Sequence, residues 1–167
     1  MIPNYIFVTG TDTEVGKTRI SVALIALLQN SGLKTAGMKP IASGCDWLND
    51  RWQNEDALAM MVQSDVSLPY TTVNPYAFQP AIAPHIAAAQ AGTEVSLSVI
   101  RQQFEVIKQQ ADAVVVEGAG GWLVPLNDTD TMADLAAVLD LPVVLVVAIR
   151  LGCINHALLT VESIQKK

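Results

Sequence analysis

Four short runs of apolar residues, each followed by polar or glycine-rich sequence, predict buried β-strands. They occupy residues 5–9, 35–39, 113–117 and 142–149. In the third and fourth runs, β-branched residues follow one another without polar alternation, which is typical of parallel strands covered on both faces. The chain is therefore expected to build a mostly parallel sheet.

Between these runs, apolar residues recur at helical spacing. Helices are predicted in segments 16–32, 54–63, 96–111, 131–140 and 153–165, the second of them capped by Asn54. The predicted buried stripe of the first helix comprises Ile20, Leu24, Leu27 and Leu28, and that of the third comprises Leu97, Ile100, Phe104 and Ile107. Alternation of strands with helices predicts an α/β fold, a doubly wound, mostly parallel sheet with helices on both faces.

The segment 64–84 contains four prolines and is predicted to be a long loop. No internal repeat, low-complexity stretch or domain-scale linker divides the chain. A length of 167 residues suits one domain with one sizeable core. We therefore expect residues 1–167 to form a single domain.

Charge and cysteine content narrow the classes of function. The net charge of −6 argues against binding a nucleic-acid backbone. Cys45 and Cys153 are far apart and no secretory segment is evident, which suggests reduced thiols in a cytoplasmic protein. The longest apolar run, 143–149, is too short to span a membrane. His85 and His156 have no partner at metal-ligand spacing, and we interpret both as structural.

The segment "GTDTEVGKT" (10–18) follows the first strand and opens the first helix. It resembles a phosphate-binding loop, but five residues rather than four separate Gly10 from Gly16. In such a loop, Lys17 reaches the β- and γ-phosphates and the Thr18 hydroxyl binds Mg²⁺. The alternative is a glycine turn with a solvated lysine. The strand before and the helix after favour the phosphate interpretation.

Candidate partners of this loop follow the other strands, where ligands bind in open parallel sheets. Glu117 ends the third strand and is a candidate metal ligand, because an unpaired acid there would be costly to bury. Asp56 is a second candidate, although a solvated acid at a helix start fits its position better. Lys39 and Ser43 follow the second strand; spacing alone fits an ordinary surface lysine equally well.

Two glycine-bearing segments complete the candidate site. "GAGG" (118–121) lets a ligand approach the backbone closely, or it is simply a tight turn. "GCIN" (152–155) opens the last helix, where N–H groups could hold a carboxylate. An uncharged helix start is the alternative for that segment.

Seven segments together closely resemble the dethiobiotin synthetase family. They are "VTGTDTEVGKT", "AGMKPIASG", "NEDALA", "VNPYAF", "PHIAAAQ", "VVVEGAGGWLVPL" and "LGCINHALLT", and their order and spacing match across nearly the whole chain. The five residues between the loop glycines are themselves a mark of this family. The loop therefore departs from the general phosphate-binding motif but resembles the form that this family has.

The resemblance implies an ATP- and Mg²⁺-dependent cyclo-ligase of biotin biosynthesis with a nucleoside triphosphate hydrolase-like fold. Its substrates would be 7,8-diaminononanoate, CO₂ and ATP, and the enzyme would work as a homodimer. CO₂ forms a carbamate on one amine, ATP phosphorylates it, and the neighbouring amine closes the ureido ring.

The resemblance also assigns residues. The nucleotide would be held by loop residues and by the third strand's end: Thr13, Glu14, Val15, Gly16, Lys17, Thr18, Glu117 and Gly120. Thr18, Asp56 and Glu117 would ligate Mg²⁺. Thr13, Lys39 and Ser43 would face the carbamate, with Lys17 in the reaction. The helix opening at Gly152, Cys153 and Asn155 would bind the carboxylate of the substrate in the partner subunit.

The chain also departs from the family, whose members continue past "VESIQKK" with a strand, an adenine-recognising loop and a helical segment. We therefore expect a chain truncated at its C-terminus relative to the family. Two other functions compete. One is a non-catalytic or regulatory nucleotide-binding module, and the other is a partitioning-type ATPase. The latter carries a signature lysine early in its loop, whereas residues 11–15 here read "TDTEV".

Overall fold

A four-stranded parallel sheet lies at the centre of the computed structural model, which describes residues 2–167. The strands in this part of the chain are β1 (Tyr5–Gly10), β2 (Thr35–Met38), β3 (Ile41–Ser43), β4 (Asp46–Leu48), β5 (Arg51–Gln53), β6 (Tyr76–Phe78), β7 (Ala113–Gly121) and β8 (Val143–Val146). The helices are α1 (Lys17–Asn30), α2 (Glu55–Gln63), α3 (Tyr70–Val73), α4 (Pro84–Gln90), α5 (Leu97–Lys108), α6 (Met132–Leu139) and α7 (Cys153–Gln165).

The central sheet has the strand order β2-β7-β1-β8, and each neighbouring pair is parallel. Phe7 of β1 lies beside Val116 of β7 on one side and Val143 of β8 on the other. Because all four strands run the same way, the loops that follow them emerge at one end of the sheet, where the carboxyl ends of the strands lie. This confirms the α/β prediction and fixes where a site can form.

Successive residues of the central strands enter two separate cores. Ile6, Val8 and Val115 pack with Ile25 of α1 and Met60 of α2. On the opposite face, the neighbouring strand residues pack with α5 and α6; these are Phe7, Val114, Val116, Phe104 and Leu135. Alternating side chains of a strand point to opposite faces. Helices therefore cover both faces of the sheet, which explains the unbroken apolar runs.

The four predicted strands exist; the first two differ from their predicted bounds by one residue, and the other two differ by more. The third continues past Glu117 to Gly121, where it lies beside Gly10 of β1. The fourth ends at Val146 instead of residue 149. Its partner β1 ends at Gly10, which pairs with Val146, so the residues that follow have no strand to pair with.

The predicted buried stripe of α1 is wrong. Leu28 is buried, but Ile20 and Leu27 are 39% and 44% exposed, and Leu24 is half-buried. The buried residues are Lys17, Ser21, Ile25 and Leu28. The phosphate loop, residues 11–16 between β1 and α1, sets this orientation of α1, because it directs Lys17 towards the ends of the strands. Residues four positions after Lys17 share its face of the helix. Ser21 tolerates burial because its hydroxyl donates to the Lys17 carbonyl at 3.0 Å.

The other four predicted helices are present. Asn54 caps α2, since its side chain accepts hydrogen bonds from the backbone N–H groups of Asp56 and Ala57. The stripe of α5 is confirmed at Ile100, Phe104 and Ile107, and Leu97 packs against the same core.

The prediction of a long loop at 64–84 is wrong. This segment contains α3 and β6, and β6 pairs in parallel with β3, which follows the second central strand. Its prolines mark element starts rather than disorder: Pro69 precedes α3, and Pro84 is the first residue of α4. The antiparallel hairpin of β4 and β5 was also not predicted.

Helix length has one further consequence for the described chain. Within residues 2–167, no helix combines the length and the apolar character that crossing a bilayer would require.

The corrected orientation of α1 predicts opposite results for two matched substitutions in that helix. Ile25→Ala should lower the free energy of unfolding by about 2–5 kcal/mol, because Ile25 is fully buried and the change leaves a cavity. Ile20→Ala should change it by less than about 1 kcal/mol, because Ile20 is partly exposed. Urea unfolding of both variants measures the difference, and equal losses would contradict the orientation.

Candidate functional site

The loop between β1 and α1 has a backbone that glycine makes possible. Gly16, the N-cap residue of α1, has φ of 98°, a left-handed conformation that glycine adopts without strain. At Gly10, an added Cβ would lie 2.7 Å from Val15 Cγ2 and 3.2 Å from Lys17 Cδ. The absence of a side chain at Gly10 therefore lets Val15 and Lys17 pack back over the strand end. The loop N–H groups meet the N-terminus of α1, an arrangement that attracts phosphate.

Lys17 is buried and spans this loop. Its Nζ donates a hydrogen bond to the Asp12 carbonyl at 2.9 Å, and the residue is only 7% exposed. Burial lowers the pKa of the Lys17 ammonium below its ordinary value, and the positive charge of Lys39 lowers it further. A second negative charge beside Lys17, such as a phosphate, would reverse this shift and favour the charged form.

Thr18, Asp56 and Glu117 meet at the start of α1, although they come from three distant segments. The Thr18 hydroxyl lies 2.6 Å from Asp56 Oδ1 and 3.1 Å from Glu117 Oε1. Asp56 stands in the first turn of α2, and Glu117 lies in β7 beside Val8. The three residues predicted to ligate a metal are therefore together in one cluster of oxygen atoms.

Lys39 joins this cluster from the end of β2. Its Nζ lies 2.6 Å from Glu117 Oε1 and 3.2 Å from Asp56 Oδ2, and it donates to the Gly118 carbonyl at 3.1 Å. The Lys39 side chain is 4% exposed. The alternatives of a surface lysine and of a solvated Asp56 are therefore wrong, because the two residues form an ion pair beneath the loop.

Two features of the carboxylates show what the cluster accepts. Glu117 is fully buried, and its Oε2 has no hydrogen-bond partner among the described residues. Burial raises the pKa of Asp56, but the Lys39 charge and the Thr18 hydroxyl outweigh it, so the net pKa lies below the ordinary value of 3.8. Glu117 Oε2 is thus available to a cation or a hydrogen-bond donor, since an unsatisfied buried carboxylate oxygen is costly.

The predicted carbamate contacts lie around the same edge. Ser43 ends β3, and its buried hydroxyl oxygen has no partner among residues 2–167. Thr13 is exposed in the loop, and its backbone N–H donates to Asp12 Oδ1 at 2.8 Å. Gly120 has φ of 61°, and a Cβ there would lie 3.7 Å from Thr13 Oγ1. The glycine-rich end of β7 therefore lies directly against the phosphate loop.

Gly152, Cys153 and Asn155 lie at the opposite side of the sheet from Lys39. Gly152 caps α7, which follows the edge strand β8, whereas Lys39 follows the other edge strand, β2. Three interstrand spacings, about 14 Å in total, separate β2 from β8. Within one chain, the structure therefore does not bring this helix start to Lys39 and Ser43.

Sequence reasoning missed one contact of the loop. The Arg150 guanidinium donates to Asp12 Oδ2 at 2.6 Å and so ties the segment before α7 to the phosphate loop. The Thr13 N–H and then Arg150 lower the pKa of Asp12. No local pattern indicates this pair, because 138 positions separate its members.

Two cavities lie away from these site residues. A cavity of about 320 Å³ is lined by residues of β6 and α4 together with Trp52, and another of about 280 Å³ lies between α5 and the end of α6. Neither is lined by the loop lysine, Lys39 or the two carboxylates. Among the described residues, no three His, Cys, Asp or Glu side chains form a metal-binding group. Convergent charge, not concavity, identifies the site.

Comparison with known proteins agrees with this geometry. A family model described as an AAA domain matches residues 4–167. The chain is 54% identical over 159 residues to "ATP-dependent dethiobiotin synthetase BioD" of Pseudomonas aeruginosa, with 95% of this chain and 70% of the relative covered. Relatives of the same printed name are 50% identical over 158 residues in Xylella fastidiosa, covering 95% and 70%, and 51% identical over 164 residues in Xanthomonas oryzae pv. oryzae, covering 98% and 73%.

The position of Lys17 predicts a loss of phosphate binding without a loss of fold. Lys17→Ala should weaken binding of ATP by about 1.5–3 kcal/mol, because a charge-assisted contact disappears. Calorimetric titration with ATP measures the change. Lys34→Ala removes an exposed lysine as a control and should leave the affinity unchanged. Equal affinities in both variants would exclude Lys17 from the nucleotide site.

Proposed function

The chain belongs to the family of ATP-dependent dethiobiotin synthetases, and we propose that it closes the ureido ring of dethiobiotin from 7,8-diaminononanoate, CO₂ and ATP. The observation that carries this proposal is the convergence of Lys17, Lys39 and a carboxylate-hydroxyl cluster at one sheet edge. A site in which a carbamate anion attacks a nucleoside triphosphate needs cations that screen the repulsion between these two anions. This end of the sheet supplies two cations, Lys17 and Lys39.

The reaction consists of three bond-forming steps. One amine of the substrate attacks CO₂ and loses a proton, which gives a carbamate anion. A carbamate oxygen then attacks the γ-phosphorus of ATP, the bond to the β-phosphate oxygen breaks, and ADP leaves. The second amine attacks the carbonyl carbon of the mixed anhydride, phosphate departs with the bonding pair, and a proton is released as the ring closes.

We assign residues to these steps by their positions. The loop N–H groups around Glu14, Val15 and Gly16 hold the phosphates, and Lys17 neutralises the oxygens that gain charge during transfer. Gly120 is assigned to the nucleotide because it lies against this loop. Thr13, Lys39 and the unpartnered Ser43 hydroxyl are assigned to the carbamate. Lys39 contacts both carboxylates, and we assign it to screening the repulsion between the two anions.

Thr18, Asp56 and Glu117 are proposed to hold Mg²⁺. Their oxygen donors suit this hard cation, which favours one or two carboxylates completed by phosphates and water. The unpartnered Glu117 Oε2 supports the assignment, because a cation would satisfy it. When bound, Mg²⁺ neutralises charge on the β- and γ-phosphates.

The start of α7 is proposed to serve a neighbouring subunit of a cytoplasmic homodimer. Gly152 is a left-handed cap without a side-chain hydrogen bond, and Cys153 and Asn155 lie in the first helical turn. These N–H groups suit a substrate carboxylate. Within a single chain they lie across the sheet from Lys39. Exposed apolar residues of the same helix, including Ile154 at 74% and Leu158 at 66%, are compatible with a subunit contact.

The activity is tested by product formation. The chain is incubated with 7,8-diaminononanoate, bicarbonate, Mg²⁺ and ATP, and dethiobiotin and released phosphate are quantified. We expect equal amounts of both products, and little phosphate when the diamine or bicarbonate is omitted. Phosphate release that is independent of the diamine would instead favour a simple nucleoside triphosphatase, and nucleotide binding without any turnover would favour a non-catalytic module.

The assignment of Lys39 to the carbamate predicts a separation of turnover from binding. Lys39→Gln should reduce kcat by about 100-fold or more, the magnitude typical of losing one charge-stabilising donor. The affinity for ATP should change less, because Lys17 and the loop remain. Stopped-flow phosphate release and calorimetry measure the two quantities, with Lys34→Gln as the exposed control. Normal turnover in the Lys39 variant would remove Lys39 from the mechanism.

A further inference from the structure

The backbone of Lys39 is held by hydrogen bonds to residues at the end of α3 rather than by the central sheet. β2 ends at Met38, one residue before Lys39. The Lys39 N–H donates to the Val73 carbonyl at 3.0 Å. The Lys39 carbonyl accepts a hydrogen bond from Asn74 Nδ2 at 2.6 Å. The residue that carries the second site cation is therefore anchored on both backbone groups by residues at the end of α3.

The same segment also reaches the start of α2, which carries Asp56. The Tyr70 hydroxyl accepts a hydrogen bond from the Asn54 N–H at 2.8 Å and donates to Asn74 Oδ1 at 2.7 Å. Asn54 in turn accepts from the Asp56 N–H at 3.1 Å and caps the helix. A continuous path of hydrogen bonds thus runs from the backbone of Asp56 to the backbone of Lys39.

This path is buried, and the Tyr70 hydroxyl and the Asn74 amide are fully paired. Tyr70, Asn74 and Asn54 are 7%, 2% and 6% exposed. The second N–H of the Asn74 amide donates to the Tyr76 carbonyl at 3.2 Å. Burial raises the pKa of Tyr70 to about 12, so its hydroxyl stays protonated and remains a donor throughout the physiological pH range. Buried hydrogen bonds of this kind rigidify the groups that they join.

We propose that Tyr70 and Asn74 are positioning residues that fix Lys39 and Asp56 relative to each other, so that the Lys39 ammonium meets both carboxylates. The effect that we expect on kcat rests on the proposed function. The Lys39 side chain reaches Glu117 and Asp56 only if its backbone lies where the hydrogen bonds of Asn74 and Val73 place it. A displacement of about 1 Å costs up to about 100-fold in rate at a site that depends on orientation.

Three near-isosteric variants separate positioning from general support of the fold. Tyr70→Phe removes the hydroxyl and keeps the ring. Asn74→Asp keeps the acceptor for Tyr70 but removes the amide that donates to the Lys39 carbonyl. Tyr76→Phe is the matched control, since its hydroxyl also accepts a backbone N–H, that of Ser96 at 3.0 Å, away from the lysine.

The decisive readout is the ¹H–¹⁵N NMR signal of the Lys39 ammonium group, assigned by its loss in Lys39→Gln. A buried ammonium with three acceptors within 3.2 Å should exchange slowly enough with water to be observed. We expect the signal in the unsubstituted chain and in Tyr76→Phe, and its loss or broadening in Tyr70→Phe and Asn74→Asp. This readout requires no catalytic activity.

Kinetics give the second readout. In Tyr70→Phe and Asn74→Asp we expect kcat to fall by about 10- to 100-fold while the ATP affinity stays within about threefold. The double variant should lose less than the product of the two single effects, because both act through one path. If Asn74→Asp does not fold, Tyr70→Phe alone decides between the outcomes.

Three results would overturn the inference. The first is an ammonium signal and a kcat in both variants that match those of Tyr76→Phe. The second is a loss of kcat that only follows the unfolded fraction. The third is an unsubstituted chain without the signal, because a mobile Lys39 is not held by this path. If the unsubstituted chain forms no dethiobiotin, the proposed function fails, but the NMR comparison still decides the positioning role.

Discussion

The Lys39 ammonium, buried between Glu117 and Asp56, is the interaction on which the rest of the site depends. It joins the end of β2 to Glu117 within β7 and to Asp56 at the start of α2. Removing one partner of such a buried pair typically costs about 3–5 kcal/mol, whereas an apolar replacement of the whole group is often neutral. Stability alone therefore gives no reason to keep these charges, whereas the proposed reaction between a carbamate and ATP does.

The phosphate loop adds a second cation to this arrangement under a different constraint. Lys17 is held over the loop by a neutral carbonyl, while Lys39 is held by two carboxylates. Burial, and then the positive charge of Lys39, lowers the pKa of the Lys17 ammonium. An arriving triphosphate opposes this shift. The site thus favours phosphate before any contact with the base of the nucleotide.

Much of the fold was predictable because local patterns determined it. Short apolar runs predicted the four central strands, two of them from continuous β-branched residues, and Asn54 predicted the start of α2. The orientation of α1 was not predictable from its apolar residues, because the loop directs Lys17 inward and rotates the helix. Segment 64–84 was misjudged because its short elements gain stability from contacts with β3 and Lys39 rather than from their own periodicity.

The site residues likewise divide into those that a local sequence pattern predicts and those that no local pattern predicts. Lys17 and Thr18 belong to a contiguous motif, and Glu117 closes the apolar run of the third predicted strand, so sequence alone made them candidates. Family resemblance was needed to favour Asp56 and Lys39 over surface alternatives. The contacts of Tyr70, Asn74 and Arg150 had no local signature, because each joins segments that are distant in sequence or depends on a side-chain geometry that the fold creates.

The position of β1 between β7 and β8 has a consequence for how the protein acquires its structure. Both neighbours of this N-terminal strand come from the second half of the chain, since Tyr5 pairs with Val114 and Phe7 with Val143. Closing such long loops costs entropy before any contact offsets it, so folding should be slow for the size of the chain. During synthesis, the loop between β1 and α1 leaves the ribosome long before β7 does, and it acquires its supporting sheet only after β7 has emerged.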